Sequence, residues 1–179
     1  MESGELAAEA LGNAISEVEA AMSALAAGMI DQLKEEASDL AARQKGLGDE
    51  TENAQEGEGE RLKDGQGGIN ELADELLEKI DQSARSLGNF NEKATEDLLR
   101  GARNSRDGGI ERSGKRAENS LLYEAFPQAK KEQDKVADNL DKLSDDLQGV
   151  ADKLRNLGNG ALRELVEKLQ EAQEDIPGM

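Results

Sequence analysis

Between Ala129 and Leu157 the chain places seam residues at Gln133, Val136, Leu140, Leu143, Leu147, Val150, Leu154 and Leu157. The steps alternate three and four. That heptad spacing keeps one stripe of a helix turned toward neighbouring helices along its whole length. A strand, with its period of two, would scatter the same residues over both faces. The seam therefore commits the chain to an all-α fold, with every other segment either meeting that helix or connecting to it.

Composition supports this. The chain has 179 residues, enough for one domain, expected over 1–179. It holds one Tyr (Tyr123), two Phe (Phe90, Phe126) and no Trp, so any core is aliphatic. Leu and Ala pack helix on helix, whereas the β-branched and aromatic residues that fill sheets are scarce, and essentially no strand is expected. With neither His nor Cys in the chain, catalysis by either residue is excluded. So are disulfides, a thiolate zinc site and the Glu-x-x-His di-iron site of bundle enzymes. The net charge of −18 disfavours nucleic acid or an anionic membrane as the main partner, because phosphate contacts need a basic field. No run of eighteen apolar residues exists to span a bilayer. Met1 is not followed by a basic region and an apolar core, so no signal peptide is expected.

In chain order, the first expected helix covers 5–56, with a seam of Ile15, Val18, Met22, Leu25, Met29, Leu33, Ala37, Leu40, Gln44, Leu47, Thr51 and Ala54. Between Leu25 and Ala37 the steps run four, four, four, a stutter that relaxes the supercoil without ending the helix. Beside the seam stand Ala14, Ala20, Ala21, Ala24, Ala26, Ala27 and Gly28, small enough for a neighbouring backbone to come close. Glycines and acids then accumulate from Gly46 to Gly68. Each glycine costs a helix about 1 kcal/mol relative to alanine, so an acidic connector is expected over 57–68. A calcium loop is the sharper reading of that cluster, but the Asp-x-Asp-x-Asp-Gly order it needs is absent.

A second helix is expected over 69–104, with a stripe broad enough to need two or more partner helices. Its triplet Leu87, Gly88, Asn89 recurs at Leu157, Gly158, Asn159, seventy residues on. That is the spacing of a duplicated helix, or a coincidence in a chain rich in Leu and Gly. A basic connector follows over 104–116. From Arg100 to Arg116, the cations Arg100, Arg103, Arg106, Arg112, Lys115 and Arg116 stand against only Asp107 and Glu111, around the turn residues Asp107, Gly108 and Gly109. These cations are candidate contacts for an anionic partner. The plainer expectation is that they neutralise the chain's own carboxylates, since no aromatic interleaves for base stacking.

A third helix is expected over 117–157 with a break near Pro127, which suits a first helical turn. Tyr123 and Phe126 join Leu121 and Leu122 in the chain's aromatic cluster, expected to cap the end of the core or to form a binding patch. Gly158, Asn159 and Gly160 should kink or end the helix. A final one is expected over 161–176, carrying Leu162, Leu165, Leu169, Ala172 and Ile176 and closed by Pro177 and Gly178. Asp134, Asp138, Asp141 and Asp145 share a helix face and are spaced to hold Mg²⁺ or Ca²⁺, but the heptad turns that face outward, as a solvated row. No glycine-rich loop follows a strand, so the nucleotide-binding folds are not expected.

The segments LKEEASDLAARQKGLGDET (Leu33 to Thr51) and AENSLLYEAFPQAKKEQDKVADNLDKLSDDL (Ala117 to Leu147) resemble helical repeats of large bacterial membrane-anchored proteins of unknown function. Leu40, Ala41, Gln44, Asp49, Glu50, Thr51, Ala129, Gln133 and Leu140 carry the likeness, over about half the chain. It implies an extracytoplasmic helical region tethered by membrane segments outside this sequence, and no catalytic residues. Without it, the cytoplasm is the expected compartment.

Taken together, the sequence predicts an elongated antiparallel bundle of three or four helices without cofactor, metal or small-molecule substrate. Its expected role is that of a non-enzymatic spacer or docking element that meets a protein partner or itself. The alternatives are an amphipathic binder of lipid surfaces and a nucleic-acid-associated protein using residues 100–116.

Overall fold

A computed structural model describes residues 2–88 and 90–174, and the side chains of 10–88 and 90–168. Five helices follow one another: α1 (Glu2–Glu52), α2 (Gly59–Leu87), α3 (Glu92–Gly108), α4 (Ile110–Leu122) and α5 (Phe126–Glu174), with no strand among the described residues. The fold is all-α, a helical bundle. Where one domain is expected, the chain gathers into two compact units, one of Met1–Met29 with Ala151–Met179 and one of Ile30–Val150.

The larger unit is built from four antiparallel rows. The end of α1 lies against α2, with Lys79 pairing to Glu36 at 2.7 Å and Arg61 to Glu50 at 2.7 Å. α2 lies in turn against α3 and α4, where Arg106 reaches Asp81 at 2.7 Å and Asn70 donates to Glu118. α3 and α4 make one row against α5, as Asn139 Nδ2 donates to the Gly108 carbonyl at 3.1 Å. α5 closes the ring on α1 through Lys45 and Asp141 at 2.7 Å and the hydroxyls of Ser38 and Ser144 at 2.8 Å. The enclosed core is aliphatic, with Leu62, Leu76, Ile80, Leu98, Ile110, Leu121, Leu140, Leu143 and Leu147 fully buried. Each such side chain contributes about 1.5–3 kcal/mol of transfer free energy.

Several expected boundaries are corrected by this packing. The connector over 57–68 shrinks to residues 53–58, since α2 begins at Gly59. Gly57 stays in that connector with φ +92°, whereas Gly59 and Gly65 lie within α2 and let helices approach. A Cβ on Gly59 would stand 2.4 Å from the Leu121 carbonyl oxygen, and one on Gly65 3.2 Å from a Leu47 methyl. The helix over 69–104 is instead two helices, α2 and α3. The side chain of Asn91 accepts from the Ala94 amide at 2.8 Å, a cap that starts α3 and settles the break in its favour. The basic connector over 104–116 is helical on both sides of a single turn, where Gly109 takes φ +90°. Glycine adopts that left-handed conformation at little cost. The break near Pro127 is present, between Leu122 and Phe126.

Gly158 to Gly160 do not end a helix, because α5 continues to Glu174 and absorbs the helix expected over 161–176. Gly158 is held there by contact, its Cβ position lying 3.2 Å from the Ser23 Cβ. Leu87 thus ends one helix while Leu157 sits within another, so the two triplets play different structural parts. The side chains of Asn89, Leu169, Ala172, Ile176, Pro177 and Gly178 lie outside the described residues.

In the smaller unit the start of α1 runs beside the end of α5. The buried positions are small on α1 (Ala20, Ser23, Ala26, Ala27), against Ala151, Leu154, Gly158 and Leu165 of α5. The expected seam residues Ile15, Val18, Met22 and Leu25 are exposed instead, and so is Leu157. The stutter explains the exchange. A run of four-residue steps rotates the stripe about the helix axis, so a line continuous in sequence faces inward after Leu33 and outward before Leu25.

Candidate interaction surface

Four of the six cations named as candidate contacts for an anionic partner are engaged within the chain. Arg106 bridges to Asp81, Arg100 pairs with Asp97, and Lys115 pairs with Glu111 one turn earlier. Arg103 donates through Nε to the Leu99 carbonyl at 3.1 Å. Hydrogen bonding to Lys115, with its charge, holds the Glu111 carboxyl below its usual range. Arg116 lends its field to Glu132, and Arg112 is exposed. The segment lies on the α3–α4 row, with Arg100, Arg106 and Lys115 each met by a carboxylate.

The aromatic cluster divides. Phe126 packs with Ala54 against Leu47, Leu62, Ile69, Leu121 and Ala129, so it closes the core as expected. Tyr123 is 80% exposed, and Leu122 is also turned outward. They belong to a turn in which Glu124 takes φ +54° and its carboxylate accepts from the Gly57 amide at 2.7 Å. That bond ties the α1–α2 and α4–α5 connections together at one end of the larger unit.

The acidic row on α5 faces outward, Asp134 pairing with Lys130 and Asp141 with Lys45. Among the described residues no three such groups converge as a metal site would require. Inside the larger unit lies a polar chain that sequence reasoning placed only in part. Gln44 and Gln66 exchange two hydrogen bonds, at 3.0 and 2.8 Å, while fully buried. Gln66 also donates to Asn70, which donates to Glu118, so α1, α2 and α4 are joined. Gln133 is buried with both amide atoms unpartnered. The heptad had marked Gln44 and Gln133 as seam positions, but nothing in it told which of them would find a partner.

The feature least expected is on the smaller unit. Leu11, Ile15, Val18, Met22 and Leu25 line one face of α1 at steps of four, three, four, three, and are 43 to 76% exposed. α5 adds the exposed Leu157, Leu162 and Val166. Large apolar side chains thus point to solvent while alanines fill the contact between the two helices, the reverse of ordinary amphipathic packing. The signal was in the sequence, as two stripes on one helix, and large size pointed to the wrong one as the internal seam. No protein-family model, curated protein or solved structure matches this chain.

Proposed function

We propose that this protein is a non-enzymatic interaction element, a helical spacer or docking module whose work is done by helix faces meeting a protein. The observation that carries the reading is the exposed stripe from Leu11 to Leu25. A stripe of that size and regularity is kept in water at a cost, and such patches mark sites of association. Supporting it, Arg100, Arg106 and Lys115, half of the cations of 100–116, are paired with the chain's own carboxylates, which disfavours a nucleic-acid role. The resemblance to helical repeats of membrane-anchored bacterial proteins accords with a spacer and implies a compartment outside the cytoplasm.

The test is chemical cross-linking followed by affinity capture from native extract, with the wild-type chain beside Ile15→Glu/Leu25→Glu. The expected result is protein cross-links to the α1 face, to another protein or to the chain itself, that the variant loses. Cross-links identical in both, or none to any protein, would overturn the reading.

A further inference from the structure

The stripe on α1 has the spacing of a two-stranded seam, and its immediate surroundings narrow what can cover it. With Leu11, Val18 and Leu25 in one heptad position and Ile15 and Met22 in the other, the flanking positions are Gly12, Ala14, Glu19, Ala21, Gly28 and Ala26, the last already buried against α5. All but Glu19 are small and uncharged. Flanks of this kind let a second helix approach closely, and they set little charge against a copy of themselves. From Ala20 to Ile30 there is no charged side chain at all, in a chain that is 35% charged.

Other occupants fit less well. The first basic residue of the chain is Lys34, so the face offers nothing to lipid phosphates or nucleic acid. The five side chains expose on the order of 500 Å² on each copy, so pairing two copies buries about the 1,000 Å² that a specific interface needs. We infer that the stripe Leu11, Ile15, Val18, Met22 and Leu25 is the self-association surface of this protein, covered by the same stripe of a second copy in a two-fold dimer. Such a dimer is isologous, each copy giving and receiving the same patch. Glu17 and Glu19, the charges nearest the seam, are then brought toward their counterparts, so added salt tightens the pairing by screening them.

This inference rests on the interaction reading above and names its partner. The test is sedimentation of the full chain over a range of concentrations, with dichroism to confirm helicity. The wild type is expected at twice the chain mass of 19.2 kDa. Val18→Glu/Met22→Glu should weaken association at least about a hundredfold while staying helical, because neither side chain is buried in the chain's own core. Val18→Ala/Leu25→Ala should weaken it less, and Leu122→Glu, on an exposed position elsewhere, should leave it unchanged. A wild type at 19.2 kDa at about 100 μM, some hundredfold above a micromolar Kd, or stripe variants that keep the doubled mass, would overturn the inference. A monomer that still loses capture of another protein on stripe mutation would overturn it while leaving the interaction reading intact.

Discussion

Among the buried glutamines of the larger unit, Gln44 and Gln133 face opposite circumstances, and single substitutions should separate them. Replacing Gln44 by Leu strands Gln66 Oε1 in the core, while Gln66 Nε2 keeps Asn70, and an orphaned buried group costs about 1–3 kcal/mol. Gln133 has no partner to strand, so Gln133→Leu should be neutral or stabilising, with urea midpoints as the measure. Beside it stands Glu132, buried and paired with Lys135 at 2.7 Å. Burial pushes its carboxyl up and leaves Oε2 without a partner, but the hydrogen bond from Lys135, the nearby Ser113 hydroxyl and the charges of Lys135 and Arg116 outweigh that and bring it below the ordinary glutamate value. A carboxyl lowered on folding contributes stability in full above its unfolded value and loses it as pH falls through the folded one. Glu132→Gln should therefore lose less stability than wild type on acidification through that window, as read from urea midpoints against pH.

At the scale of the helices, glycine placement controls how closely rows approach. A Cβ on Gly114 would collide with the Asn70 carboxamide, whose Oδ1 accepts from Gln66. Gly114→Ala should destabilise by about 1–3 kcal/mol, despite alanine's better helix propensity. Gly149 has nothing within 4 Å of its Cβ position, so Gly149→Ala should stabilise by about 0.5–1 kcal/mol, measured in the same unfolding series. These glycines mark the limit of what was legible in sequence. The seam from Val136 to Leu154 and the all-α class could be read directly, because periodicity reports which residues share a face. Whether Gly59 or Gly158 ends a helix or admits a neighbour depends on atoms far along the chain, and local propensity carries no trace of Leu121 or Ser23. The same ignorance of partners put Ile15 and Leu25 inside, since their apolar character does not say whose helix they meet.

For the whole molecule, the two units differ in what they bury. The larger holds Leu and Ile in a ring of four rows, while the smaller joins its helices largely through Ala, Ser and Gly. Less buried apolar surface means cheaper local opening, so amides of residues 10–29 should exchange hydrogen faster than those of 30–52 in the same helix. Self-association through the stripe should slow the first set as concentration rises and leave the second unchanged. The central claim, that the heptads of one chain fold back on each other, is tested most directly by a cross-link between α1 and α5. The Ser38 and Ser144 hydroxyls are 2.8 Å apart, and the chain has no cysteine to compete. Ser38→Cys/Ser144→Cys should oxidise to an intramolecular disulfide in the folded protein and raise the urea midpoint, since closing a loop of that length stabilises by about 4–5 kcal/mol in the chain-entropy picture. Thiols that stay free under mild oxidant, or that link only between molecules, would contradict it.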